Sequence, residues 1–381
     1  MTYEMMDQSV QTSLDCIQVT EVDPRGDPCW QAFVAAHPDA LIYHHPAWLR
    51  VLAKEYGRKP VGLVCKDAEG RIRGVLPLTD TRGIPFKIGG KITGRRLSSL
   101  PRTPVAGPLS LDTQATAALV HTAVERARAK PGTQLEVKAW SNGIDTLVPD
   151  MAPMPWRLTY VLELPKPPEN IRFGNSRNHG RISWAVKKAA KSGIQVRQAE
   201  TETELREWYR LYLDTMRWHA VPPRPYRFFK ACWEQLRPDG LMRLLLAELH
   251  EGGSRKLVAG SIFLMFGRTV FYAFSARDLE YLRLRPNDAI QWQAIHDAQR
   301  EGFCVYDFGE VVEDNEGLAE FKSKWGAEAK RLYRYYYPAP RDLGTDPLNE
   351  TSLTRRLTMT LWRRAPLTMT ALLGDWIYSF L

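Results

Sequence analysis

Long apolar runs are missing from this 381-residue chain. No stretch reaches the roughly 20 apolar residues that a membrane-spanning helix needs. The opening residues, MTYEMMDQSVQTSLDCIQVTEV, carry neither a basic leader nor an apolar core, so no secretory signal is expected there. Cysteine is scarce and scattered: Cys16, Cys29, Cys65, Cys232 and Cys304 form no CxxC pair and no Cys/His ligand spacing. That argues against a disulfide framework or a structural zinc and suits a reducing cytoplasm. Cys65 and Cys304 lie in apolar, strand-like runs, where a free thiol behaves as a small hydrophobe. The 8 histidines, His44, His45 and His219 among them, show no H-x-x-x-H or carboxylate pattern, so no metal is expected. Neither a Ser-His-Asp nor a Cys-His arrangement asks for a covalent intermediate. No short internal repeat is present, which excludes solenoids and propellers.

What the chain does hold is enough apolar material for sizeable cores, with 44% hydrophobic and 25% charged residues. Its 12 tryptophans and 15 tyrosines suit sheets and sites that grip planar groups, core packing being the commoner use. A formal charge of +9 attracts anions as a class: nucleotides, RNA, anionic headgroups, phosphorylated substrates. One basic cluster, Arg172, Arg177, Arg181, Lys187, Lys188 and Lys191, reads equally as a solvated helix face.

Along the chain, the first part reads as loops followed by a helix over 46–57 and a hairpin over 60–79 turning at Asp67–Gly70. The Gly-, Pro-, Ser- and Arg-rich stretch 94–108 reads as a loop. A helix at 113–130 and strands at 134–140 and 158–164 follow. The proline-rich segment 165–170 marks a junction. Beyond it the patterns sharpen: helices at 174–193, 203–218 and 226–236, then strands at 242–249, 256–266 and 269–276 joined by Gly252-Gly253 and Gly267-Arg268. Pro286 opens a helix through Arg300, and strands at 303–309 and 330–337 close the set. The expected class is α/β (α+β), with mixed, mostly antiparallel central sheets. The expected division is a first half over 1–165, a second over 166–340 and a basic amphipathic tail over 341–381.

Several strings taken together carry a resemblance: RISWAVKKAAKSGIQV (181–196), LYLDTMRW (211–218), RPNDAIQWQAIHDAQREG (285–302) and YDFGEVVEDNEGLAEFKSKWGAEAKRL (306–332). HHPAWLRVLAKEYG (44–57) adds to them more loosely. They resemble the FemA/FemB-type branch of the GNAT acyltransferase superfamily, over about 40–340 of this numbering. The resemblance implies tandem GNAT-like halves and transfer of an acyl or aminoacyl group to an amine of a cell-envelope or surface-polysaccharide precursor, phosphate-bearing or lipid-linked. Alternatives are an acetyl-CoA-dependent N- or O-acetyltransferase and a non-catalytic RNA- or membrane-binding relative. The donor stays open between acetyl-CoA and aminoacyl-tRNA. The glycine-rich phosphate cradle of acetyl-CoA users is replaced by Arg285-Pro286-Asn287-Asp288-Ala289, where the proline removes an N–H donor. The long charged helical hairpin of many peptidoglycan-bridge enzymes is absent too.

The resemblance also implies roles. Phe321 orients substrate while the Lys322 ammonium stabilises a developing oxyanion; as a bare pattern, Lys322 reads instead as a surface lysine with Phe321 and Trp325 packed inward. Asp307, expected just past a strand end, is either a base or a loop cap, and Glu310, Glu313, Asp314 and Glu316 are expected to be solvated. Lys54 and Arg217 resemble positions that hold substrate phosphate. Arg283 and Arg285 are anion candidates by loop position, while Tyr272 and Tyr281 either line an acceptor groove or pack in strands. The end of the chain, LTRRLTMTLWRRAPLTMTALLGDWIYSFL (353–381), is basic and apolar. It is expected either to lie at the inner face of a membrane or to dock back on the protein.

Overall fold

The computed structural model describes residues 17–57, 59–83, 93–165, 171, 173–312, 315–340 and 361–378. One 13-stranded sheet runs through it. The first part contributes β1 (Gln18–Val22), β2 (Val61–Lys66), β3 (Ile72–Gly83), β4 (Thr93–Ser98), β5 (Leu109–Ser110), β6 (Thr133–Ala139) and β7 (Ala152–Glu163). Its helices are α1 (Pro28–Ala36), α2 (Pro46–Tyr56), α3 (Thr113–Arg128) and the short α4 (Ile144–Leu147). The second part adds α5 (Ser176–Lys191), β8 (Ile194–Gln198), α6 (Glu202–His219), α7 (Tyr226–Leu236) and the meander β9 (Met242–Glu251), β10 (Ser254–Phe266), β11 (Thr269–Arg277). Then come α8 (Pro286–Arg300), β12 (Val305–Val311), α9 (Glu316–Ser323), β13 (Glu328–Tyr337) and, near the end, α10 (Leu367–Tyr378).

The strand order is β1-β2-β3-β4-β6-β13-β7-β12-β11-β10-β9-β8, with β5 beside β3. Among the described residues the parallel pairs are β4–β6 and β11–β12, and the rest run antiparallel, so the sheet is mixed and mostly antiparallel. β13 is the seam. It pairs antiparallel with β6 on one side (Arg334↔Lys138, Tyr336↔Glu136) and with β7 on the other (Glu328↔Val161). The last strand in sequence thus ties the early strands to the late ones.

Local chemistry explains the helices. Asn175 caps α5 by accepting from the Asn178 N–H, Thr201 and Glu204 form a capping box at α6, and Pro286 sits at the first turn of α8. α3 lays Leu119, Ala123 and Val124 on Leu63, Leu76 and Val137. α5 and α8 bury Ile182, Ala189, Ile290 and Ile295 against Val258, Phe263 and Tyr306. A third cluster joins Trp48 of α2 to Trp208, Phe228 and Phe229, so the early helices share a core with the late ones. There Trp208 packs so closely on β10 that a Cβ on Gly260 would lie 2.5 Å from its ring; only glycine fits.

Several expectations need correction. Residues 94–98 are not a loop: they are most of β4, bonded to β3 and to β6. Pairing on both edges replaces the apolar alternation that Arg95 and Arg96 break. The chain also does not begin with loops alone, since β1 and an Asp27-capped α1 come first among the described residues. β7 starts at Ala152, six residues ahead of expectation, because Pro153 and Pro155 mask it. β12 runs on to Val311, which puts Asp307 and Glu310 inside a strand. Most of the junction 165–170, the residues Arg172, Glu313 and Asp314, and tail residues 353–360 and 379–381 lie outside the described residues.

Candidate active site

β11 and β12 start side by side, pairing at Thr269↔Val305, Val270↔Tyr306 and Phe271↔Asp307, and part beyond that point. On the other edge of β12, pairing with β7 shifts register between Asp307 and Glu310. Gly309 occupies this bulge at φ +77°, a conformation that glycine adopts without strain. A cleft of ≈ 1960 Å³ is lined here by β11, β12, α9 and the start of α8, and also by β4, β6 and β13.

Asp307 pins the bulge. Its Oδ1 accepts from the Gly309 N–H at 2.7 Å and from the Thr159 hydroxyl at 2.6 Å, leaving Oδ2 out of both bonds. Burial pushes its carboxyl up to about 6 against the pull of those bonds. From α9, capped by Asn315, the Lys322 side chain reaches in, only 3% exposed. Its Nζ donates to the Gly309 carbonyl at 2.8 Å and the Glu310 carbonyl at 3.1 Å. An ammonium has three donors, so one remains beyond those two bonds. Burial lowers Lys322 to about 8, opposed by Asp307 and Glu310.

Lys322, Phe321, Asp307, Tyr272 and Arg285 all line the cleft. Lys322 is the buried member of its pair, while Phe321 is half-buried with the Lys324 ammonium 4.4 Å from its ring centre. Tyr272 stacks on Phe263. Glu310 is not simply solvated, since it accepts from the Trp156 indole at 3.2 Å and pairs with Arg157; Glu316 is exposed as the first residue of α9. Lys54, Arg217 and Arg283 are not among the lining residues. Lys54 pairs at the surface with Glu234, Arg217 with Asp214, and Arg283 is exposed on a 3-10 turn. Tyr281 accepts from Lys256 away from the cleft. His219 lines it, whereas His44 is buried and held neutral, near 4, by burial. Among the described residues no group of His, Cys, Asp and Glu is placed to hold a metal ion.

A second polar cluster on the same cleft was not anticipated. Lys138 of β6 is buried and donates to the Leu100 carbonyl at 2.7 Å. Glu136, two residues earlier on the same strand face, accepts from Arg334 at 2.8 Å, Tyr336 at 3.1 Å and Ser98 at 3.2 Å. Burial alone would raise Glu136, but Lys138, Arg334 and Arg96 hold it at about 2. The signal was readable: two charges at i and i+2 in the apolar strand QLEVKAW share one face. Elsewhere the lining is mostly cationic, Arg96, Arg157, Arg277 and Arg285 among it, against the carboxylates Glu136, Asp288, Asp307 and Glu310.

The α8 N-terminus bears on the donor. Arg285 spends its N–H on the Leu282 carbonyl, Pro286 has none, and the first-turn Asp288 carboxylate is ion-paired with Lys324. A helix start with few free N–H groups and its own carboxylate is a poor cradle for a pyrophosphate.

Comparison with known proteins agrees with this geometry. Residues 176–323 match the family model described as an acetyltransferase (GNAT) domain. Over 179 residues the chain is 26% identical to the UDP-N-acetylmuramoylpentapeptide-lysine N(6)-alanyltransferase of Weissella viridescens, covering 46% of this chain. The match spans about half of that relative, 51% of its length. In fold it is similar to FemX, with TM-score 0.63 at 17% identity over 84% of this chain and 98% of that one. It is also similar to the C-terminal domain of a putative lysylphosphatidylglycerol synthetase from Agrobacterium fabrum, with TM-score 0.54 at 12% identity over 83% and 92%. The family model thus supports a GNAT domain over 176–323, while the alanyltransferase relative and the FemX-like fold accord with the resemblance to the FemA/FemB-type branch.

Proposed function

We propose that this chain is an aminoacyl- or acyltransferase that acts on an amine of a cell-envelope precursor. The observation that carries the reading is the buried Lys322 ammonium at the parting of β11 and β12, with one N–H left for the cleft. In this reading the acceptor amine attacks the donor carbonyl directly, in a ternary complex. The third Lys322 donor meets the oxyanion that develops, in a site where burial makes such a bond strong. Asp307 takes the amine proton through Oδ2, a carboxyl poised near 6 being ionised at neutral pH yet basic enough to serve. As the intermediate collapses, the carbonyl carbon gives up its bond to the donor's ester oxygen (thioester sulfur for an acyl-CoA), and the departing group leaves with that proton. Phe321 on the cleft wall orients the substrate.

The α8 N-terminus favours aminoacyl-tRNA over acetyl-CoA as donor, because it offers a pyrophosphate little. The named activity of the Weissella relative, alanyl transfer to a lysine amine, points the same way. The phosphate contact expected of Lys54 and Arg217 falls more naturally to Arg277 and Arg285, which line the cleft. We retain the division into GNAT-like halves, 1–165 and 166–340, with a tail that meets a membrane surface. No described helix is long and apolar enough to cross one.

The test supplies the purified chain with labelled alanyl-tRNA or labelled acetyl-CoA, and with a UDP-linked muramoyl-pentapeptide as amine acceptor. Label should pass from alanyl-tRNA to the acceptor. Absence of product from both donors would count against the reading.

A further inference from the structure

We propose that the outer face of α10, together with the end of α6, docks on an anionic lipid bilayer and so sets the mouth of the cleft against it. The purpose of such docking rests on the cell-envelope acceptor proposed above, taken in lipid-linked form; the docking itself rests on the surface.

The last described segment folds back on the protein. Arg217 donates to the Ala365 carbonyl at 3.4 Å and Arg363 to the Trp218 carbonyl at 2.9 Å, its guanidinium 5.3 Å from the Trp218 ring centre. Gly374 packs so tightly on Pro223 that an added Cβ would lie 2.4 Å from its carbonyl oxygen. One face of α10, Thr370, Gly374 and Tyr378 at every fourth position, is thereby buried. The opposite face presents Met369, Leu372, Leu373 and Trp376, with Leu372 72% exposed. Leu361, Trp218 and Val221 extend the exposed apolar set, so most of the large apolar side chains on the described surface belong to these two segments. A helix apolar on its outer as well as its inner face marks a surface that something covers.

Charge selects the occupant. Arg363 and Arg364 stand exposed beside the apolar face. The acidic residue of α10, Asp375, is already ion-paired with Arg227. An apolar helix face flanked by unopposed arginines matches acyl chains under anionic headgroups. A second copy docked face to face would bring the same cations into one interface without carboxylates to answer them. The patch also adjoins the cleft. Val221 is 46% exposed and lines the cleft too, and Tyr378 on the inner face of α10 forms part of its wall under the Arg102 guanidinium, 4.6 Å from its ring. A lipid-linked substrate would thus reach the cleft without leaving the membrane surface.

The test is co-sedimentation of the full chain with vesicles of phosphatidylcholine alone or mixed with phosphatidylglycerol, across a salt series. Binding to the phosphatidylglycerol vesicles that weakens with salt is expected, with a loss of about tenfold or more in a Met369→Ser, Leu372→Ser double variant whose thermal unfolding matches wild type. Wild type that ignores anionic vesicles, or a double variant that binds them as well, overturns the proposal. So does a wild-type dimer in sedimentation velocity that the double variant abolishes, since the face would then belong to a second copy. No transfer reaction enters this readout, so a failed transferase reading would leave the docking result standing, and the reverse.

Discussion

Two buried lysines line one cleft, and burial brings each down to about 8. Lys138 belongs to a closed group. A carboxylate, Glu136, stands 3.9 Å away and is itself held by Arg334, Tyr336 and Ser98, with the Arg334 guanidinium 3.4 Å from the Trp156 ring centre. Lys322 is held otherwise, by two backbone carbonyls on a bulge, while the nearby Asp307 is tied to Thr159 and Gly309. The first arrangement spends its charge inside the protein and fixes the β6–β13 seam. The second holds its cation on carbonyls alone, at the bulge beside Asp307, and the transfer reading proposed above assigns its third donor to the cleft. Burial and a lowered pKa alone therefore do not mark a working lysine; the partners decide.

The largest break in the comparison is expected at the closed group. Glu136→Ala leaves Lys138 and Arg334 buried without their carboxylate, a loss of about 3–5 kcal/mol of stability in a denaturant titration. Because Glu136 is held at about 2, the stability that it supplies is present above its ordinary 4.5 and is lost as pH falls toward 2. An unchanged denaturation midpoint for Glu136→Ala would mean that the seam does not depend on this group.

The pH dependence of transfer sharpens the contrast. The rate should fall as pH rises through about 8, where Lys322 loses its proton, and as pH drops through about 6, where Asp307 gains one. Lys322→Arg should remove the upper limb, whereas Lys138→Arg should leave it in place. For stability the Lys322 sign is reversed. The unfolded lysine keeps its proton to about 10.5 and the folded one releases it near 8, so its contribution improves as pH rises through that window. Smallest is Thr159→Val, which removes one bond to the Asp307 carboxylate and should move the lower limb upward by about one pH unit. A limb that stays put in this variant would take Asp307 out of the titration.

Much of this architecture was readable in advance where the forces are local. The helices of the second part and the β9–β11 meander follow 3.6- and 2-residue periodicity with glycine turns between, and their observed bounds lie within a few residues of the expected ones. β4 was not readable, because what makes it a strand is pairing with β3 and β6 rather than its own residues. The site divides in the same way. The strings around Lys322 and Asp307 singled those residues out, and the fold brings both to the cleft. That Lys322 is buried over two carbonyls depends on a bulge that no spacing announces. Glu136 and Lys138 could be paired from their strand face, but Arg334, 198 residues later in sequence, reaches them only through the register of β13.

The most direct measurement compares Lys322→Ala and Lys138→Ala in one single-turnover transfer assay, each at a temperature where circular dichroism shows the variant folded. The account predicts that Lys322→Ala loses roughly 10²–10³ of the transfer rate, while folded Lys138→Ala keeps most of it and pays instead in stability. A folded Lys322→Ala protein that turns over at the wild-type rate would contradict it.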